Sequence, residues 1–123
     1  MEIIINDHRK IFAIQEEFNT MFPFLKLEFL SKPHEPDGAP GKKFVKQHSK
    51  TLGECRTIHK KGNLTITPNM TVAELEEHFR EVYGLAVEVF RKFGETWLET
   101  SPTASWTLEK QNLEGKTLAK VVK

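Results

Sequence analysis

The chain has 123 residues, 38% of them hydrophobic and 28% charged, at a net charge of +1. That is one domain's worth of chain with enough apolar material for a core, which excludes disorder by composition. A single Cys excludes an internal disulfide, and no apolar run reaches the ~20 residues of a membrane span, because Lys26 and Glu28 interrupt the longest candidate. The opening residues Met1 to Asp7 lack a basic n-region, so the expectation is a cytoplasmic protein with no membrane partner.

Taken in chain order, Ile3-Ile4-Ile5 is a short apolar run of strand type, followed by the polar break Asn6-Asp7-His8. Ile11, Ile14, Phe18 and Met21 then line one face of a helix that Pro23 closes, and the alternating run Leu25-Lys26-Leu27-Glu28-Phe29-Leu30 predicts a strand. Residues 31–43 hold three of the six prolines and two of the seven glycines, which predicts a flexible loop. A strand is expected near 55–60, pairing with 64–67 across a Lys61-Gly62-Asn63 turn.

The second half repeats the first. Leu64-Thr65-Ile66-Thr67 matches the opening strand at an offset of 61, and Val72, Leu75, Phe79 and Val82 match the first helix at the same offset. Thr71 with Glu74 forms a capping box at the start of this helix, and Gly84 ends it. The next strand, Leu85-Ala86-Val87-Glu88-Val89-Phe90, needs a one-residue shift to match 25–30. A strand at 95–99 after a Lys92-Phe93-Gly94 turn, a short helix ending at Gly115 and a frayed tail over 116–123 complete the chain. Two βαβ units, 2–30 and 64–90, predict a single α+β domain over 1–123. The expected fold is a ferredoxin-like βαββαβ sandwich with one sheet, an inserted basic hairpin or loop, and an extra C-terminal strand and short helix. All eight repeated positions read as core, and the polar face of the alternating strands is left for water or a partner.

The stretch ITPNMTVAELEEHFREVYGLAVEVFRKFGETWLET with SWTLEKQN resembles a small α+β family of Bacteroidetes-type bacterial genomes. The likeness covers residues 63–112 well and the first 60 more loosely. It implies a cytoplasmic bacterial protein and carries over no activity, cofactor or site residue.

Charge is distributed unevenly. Lys42, Lys43, Lys46, Lys50, Arg56, Lys60 and Lys61 against Glu54 give residues 42–61 a charge of +6, while the rest of the chain is −5, with Glu74, Glu76, Glu77 and Glu81 on the second helix. These seven cations are the candidate anion- or partner-binding set. Such a segment serves a solvated surface, contact with the acidic helix of a second copy, or a polyanion. Against nucleic acid, the first and third strands carry no aromatic residue to stack a base, and Phe44 is the one aromatic in the basic segment.

Catalytic signals are sparse. Cys55 is the one candidate nucleophile, with Arg56 beside it and His48 or His59 as a base, but a lone Cys on a short element reads first as a small hydrophobe. His34, His48, Cys55 and His59 lack the paired spacing of a zinc site. Gly38-Ala39-Pro40-Gly41-Lys42-Lys43 lacks the Ser or Thr that follows Lys in a phosphate loop. Trp97 and Trp106 flank Ser101-Pro102 and read first as packing, with an exposed anchor for a partner as the alternative. No cofactor or metal is implied. The expectation is a non-enzymatic interaction or regulatory module that self-associates as a homodimer through its sheet or binds another protein. A polyanion or nucleic-acid binder using 42–61 is the alternative, and an enzyme resting on Cys55 comes third.

Overall fold

The computed structural model describes residues 1–31 and 44–121. Its elements run β1 (Glu2–Ile5), α1 (Ile11–Met21), β2 (Leu25–Phe29), a 3-10 turn at Leu52–Cys55, β3 (Gly62–Thr65), α2 (Val72–Tyr83), β4 (Val87–Phe93), β5 (Thr96–Glu99), a second 3-10 turn at Ser101–Thr103, and α3 (Leu108–Val121). The class is α+β. Among the described residues no helix is long and apolar enough to cross a membrane.

Both main helices form where the apolar spacing predicts them. Ile11, Ile14 and Phe18 of α1 and Val72, Leu75 and Phe79 of α2 are fully buried, while Met21 and Val82, the last position of each face, are partly buried. The two starts differ in chemistry. Thr71 and Glu74 close a capping box on α2, whereas Lys10 gives α1 no side-chain cap. There the backbone supplies the acceptors: the N–H groups of Ile11 and Phe12 donate to the carbonyls of Lys50 and His48 at 2.9 and 3.1 Å. Gly84 ends α2 at φ 64°, in the left-handed region that costs other residues about 1–2 kcal/mol.

The strands divide between two antiparallel sheets, not the single sheet that the two βαβ units predict. β1 pairs with β3, and β2, β4 and β5 form a second sheet in that order. The two strands of each βαβ unit therefore lie in different sheets, and the core is built between them. Ile3, Ile5, Leu64 and Ile66 from one side meet Leu25, Leu27, Phe29, Val87 and Val89 from the other, with Phe18 and Phe79 in the same cluster.

Three local expectations are corrected. The hairpin of 55–60 with 64–67 does not form: Leu52–Cys55 is a 3-10 turn, and Gly62 and Asn63 lie inside β3, opposite Ile5 and Ile4. The apolar β1 provides a better partner for β3 than the charged 56–61 segment. Next, β4 continues through Phe93, and Gly94, at φ 59°, makes the turn that pairs Phe93 with Thr96. Last, α3 does not stop at Gly115 but continues through residue 121, so 116–121 is helix and not frayed chain. The predicted loop at 31–43 lies outside the described residues except for Ser31.

Candidate binding site

Strand parity assigns the side chains of the three-stranded sheet. Leu25, Leu27, Phe29, Val87 and Val89 point into the core, so Lys26, Glu28, Glu88, Phe90, Lys92, Trp97 and Glu99 share the opposite, outer face. Across that face Glu28 stands opposite Glu88, Lys26 and Glu99 flank Phe90, and Lys92 pairs with Trp97. The ammonium groups lie over rings: Lys26 Nζ is 5.5 Å from the Phe90 centroid and 5.2 Å from that of Trp97, and Lys92 Nζ is 4.9 Å from Trp97. Each such contact is worth about 0.5–1 kcal/mol at an exposed site.

Chain that returns from outside the described region closes one end of this face into a cleft. Phe44 bridges to Leu30, and the Val45 N–H donates to the Phe29 carbonyl at 2.8 Å, which lays residues 44–48 along the edge of β2. The resulting cleft has a volume of about 380 Å³ and is lined by Lys26, Glu28, Phe44, Val45, Lys46, His48 and Phe90. Phe44 and Phe90 form its apolar floor, their ring centroids 5.7 Å apart at 60°. Glu28 is already occupied: its carboxylate lies 3.2 Å from Lys26 Nζ and 3.6 Å from His48 Nε2, and it accepts from the Gln15 amide at 3.5 Å. Lys46 at the rim is exposed. Because the His48 carbonyl caps α1, a helix start anchors the segment that carries His48.

The structure disperses the basic set. Lys42 and Lys43 lie outside the described residues. Lys46 lines the cleft, Lys50 is exposed while its carbonyl caps α1, and Lys60 and Lys61 are exposed. Arg56 departs from the surface role altogether, at 1% exposure. Its Nε and Nη2 donate to Asp7 Oδ1 at 3.1 and 2.9 Å, and its Nη1 donates to the Tyr83 carbonyl at the C-terminus of α2 at 3.0 Å. Burying that charge is tolerable because a carboxylate and a helix C-terminus both face it. The His59 Nδ1 reaches Asp7 Oδ2 at 2.9 Å. These donors hold the Asp7 carboxyl below its ordinary range, the His59 hydrogen bond foremost, with partial desolvation opposing and Arg56 adding to the lowering.

The other candidates separate. Cys55 is 5% exposed and belongs to the core. His48 engages Glu28 and His59 engages Asp7, while His34 lies outside the described residues. Among the described residues no group of three His, Cys, Asp or Glu side chains is placed to hold a metal ion. Trp97 joins the outer face. Trp106 instead carries Lys110 Nζ at 4.3 Å and the Arg91 guanidinium at 5.5 Å.

Sequence reasoning missed Lys26, Glu28, Phe44, Val45 and Phe90. A signal for Phe90 existed: it stands at the solvent parity of a strand whose Val87 and Val89 point inward. No family model, curated protein or solved structure matches the chain.

Proposed function

We propose that the protein is a non-enzymatic interaction module that binds and self-associates through the outer face of the three-stranded sheet. The observation that carries this reading is the balanced charge of an aromatic surface. Lys26, Lys46 and Lys92 share it with Glu28, Glu88 and Glu99 around Phe90, Trp97 and Phe44. A polyanion approaching here meets three carboxylates. A protein surface presents both signs, and a second copy of the same face does so by construction, in the isologous contact that most dimers use.

Sedimentation velocity across micromolar to submillimolar protein tests the reading. Reversible association that weakens in Trp97→Ala and in Lys92→Glu supports it. A concentration-independent monomer overturns the self-association, and dimerisation unaffected by both variants moves it to another surface.

A further inference from the structure

We infer that the cleft between Phe44 and Phe90 is a site for a small organic acid, one carboxylate carried on a flat apolar body. This rests on the reading of the outer sheet face as the binding surface and names what its closed end takes.

Size, shape and charge agree. At about 380 Å³ the cleft falls in the range of small-molecule pockets. Its floor is the tilted pair of Phe44 and Phe90 with Val45 beside them, which favours a planar apolar group over a hydrated one. Two ammonium groups, Lys26 and Lys46, share the lining with the single carboxylate of Glu28 and the imidazole of His48. Glu28 is paired with Lys26 at 3.2 Å and accepts from Gln15 at 3.5 Å, with His48 Nε2 3.6 Å away. A cationic ligand would therefore find its one counter-charge taken. A multiply charged phosphate would exceed the net positive charge of the lining and face Glu28 as well. A single carboxylate is matched, with Lys46 as its partner.

The arrangement also separates the roles of its residues. Phe44 and Phe90 select for a flat body whatever its charge, and Lys46 selects for the carboxylate whatever its body. Lys46 is exposed, so changing it leaves the fold intact.

The probes are 2-naphthoate, its neutral analogue 2-naphthamide and the cation 2-naphthylmethylamine, titrated by calorimetry into the full chain. Binding of 2-naphthoate with a Kd near or below about 1 mM, the strength that ordinary ligand efficiency gives a molecule of this size, is the expected result. The amide should bind roughly 2–5-fold more weakly and the amine weaker still, since an ion pair to an exposed lysine is worth about that ratio. Lys46→Gln should remove the preference of acid over amide while the amide itself still binds. Phe90→Ala should weaken all three probes. Equal affinity for acid and amide, an acid preference that survives Lys46→Gln, or no 2-naphthoate binding in the millimolar range overturns the inference. If Trp97→Ala and Lys92→Glu still weaken self-association in that case, the sheet face stands as the contact surface and only the acid site falls.

Discussion

Ile3 and Leu64 stand directly opposite each other where β1 meets β3, and they are separated by the same 61 positions as Phe18 and Phe79. In the other sheet Glu28 stands opposite Glu88, at the offset of 60 that aligns the second strands of the two halves. Lys10 and Thr71, again 61 positions apart, precede the two helices, and each forms an antiparallel bridge, to Thr51 and Thr107 respectively. A twofold relation between two halves would set equivalent positions opposite each other, as Ile3 and Leu64 and Glu28 and Glu88 are set; Thr51 and Thr107, the partners of the two bridges, do not share that offset.

If Phe18 and Phe79 are equivalent, their truncation should cost alike. Both are completely buried, so Phe18→Ala and Phe79→Ala should each lower stability by about 3–5 kcal/mol. Chemical denaturation of the two variants is the measurement. A cost below about 1 kcal/mol at either position would show that the site collapses around the loss and that the halves are not energetically alike.

The helices were legible in the sequence because their determinants are local: the apolar spacing of Ile11, Ile14 and Phe18, and the Thr71–Glu74 box, lie within single segments. Strand partners were not. The runs at Ile3 and Leu25 look alike as apolar sequence, and nothing local tells that one pairs with β3 and the other with β4. The cleft was hidden for the same reason, since Phe44 and Phe90 meet only through the register of β2 with β4 and the bridge from Leu30 to Phe44. Arg56 was misplaced because a basic run gives no sign that one guanidinium turns inward to Asp7.

Gly115 misled in another way, because it serves packing inside a helix. A Cβ there would lie 2.9 Å from Phe24 Cβ and 3.0 Å from the Phe24 carbonyl oxygen. Gly115→Ala gains up to about 1 kcal/mol of helix propensity but incurs about 1–3 kcal/mol of overpacking against a backbone that cannot swing away. The net effect on the thermal midpoint should be a decrease. A raised midpoint would mean that α3 shifts freely on β2.

Asp7 ties the turn after β1 to the 56–61 segment through Arg56 and His59, and its lowered carboxyl pKa fixes the sign of its pH dependence. The folded value lies below the ordinary 3.8, so in that window the unfolded chain binds more protons and stability rises with pH. The contribution is complete above the unfolded value and is lost as pH falls through the folded one. Asp7→Asn should therefore be less stable than the wild type at about pH 7, and the gap should narrow at about pH 3. Urea midpoints at the two pH values decide the matter; an unchanged gap would place the effect of Asp7 outside its charge.

Cys55 sits in the core at 5% exposure. A thiol buried in this way reacts slowly, because the reagent has no access. A mild alkylating agent should leave the folded protein unmodified near neutral pH and label it stoichiometrically after denaturation, as followed by intact mass. Rapid labelling of the native protein would restore the catalytic reading of this residue.

Arg56 is spent on Asp7 and the exposed Lys46 lines a cleft that also holds Glu28, which leaves Lys50, Lys60 and Lys61 as the exposed cations outside the cleft among the described part of the basic set. Binding to duplex nucleic acid through so few charges should be weak and should fall with salt at a slope of about −0.9 per phosphate neutralised, so a slope near −3 is the most these three can supply. The wild type should accordingly show no sub-micromolar affinity for DNA or RNA oligonucleotides at ~0.15 M salt, where exposed charges are screened beyond about 8 Å. Fluorescence anisotropy over a range of salt reads both quantities. Charge reversal at Lys60 and Lys61 should change stability by about 0.5 kcal/mol or less, and it should leave self-association through the sheet untouched. Tight binding with a steeper slope would transfer the function to the basic segment and make Lys42 and Lys43 the next residues to reverse.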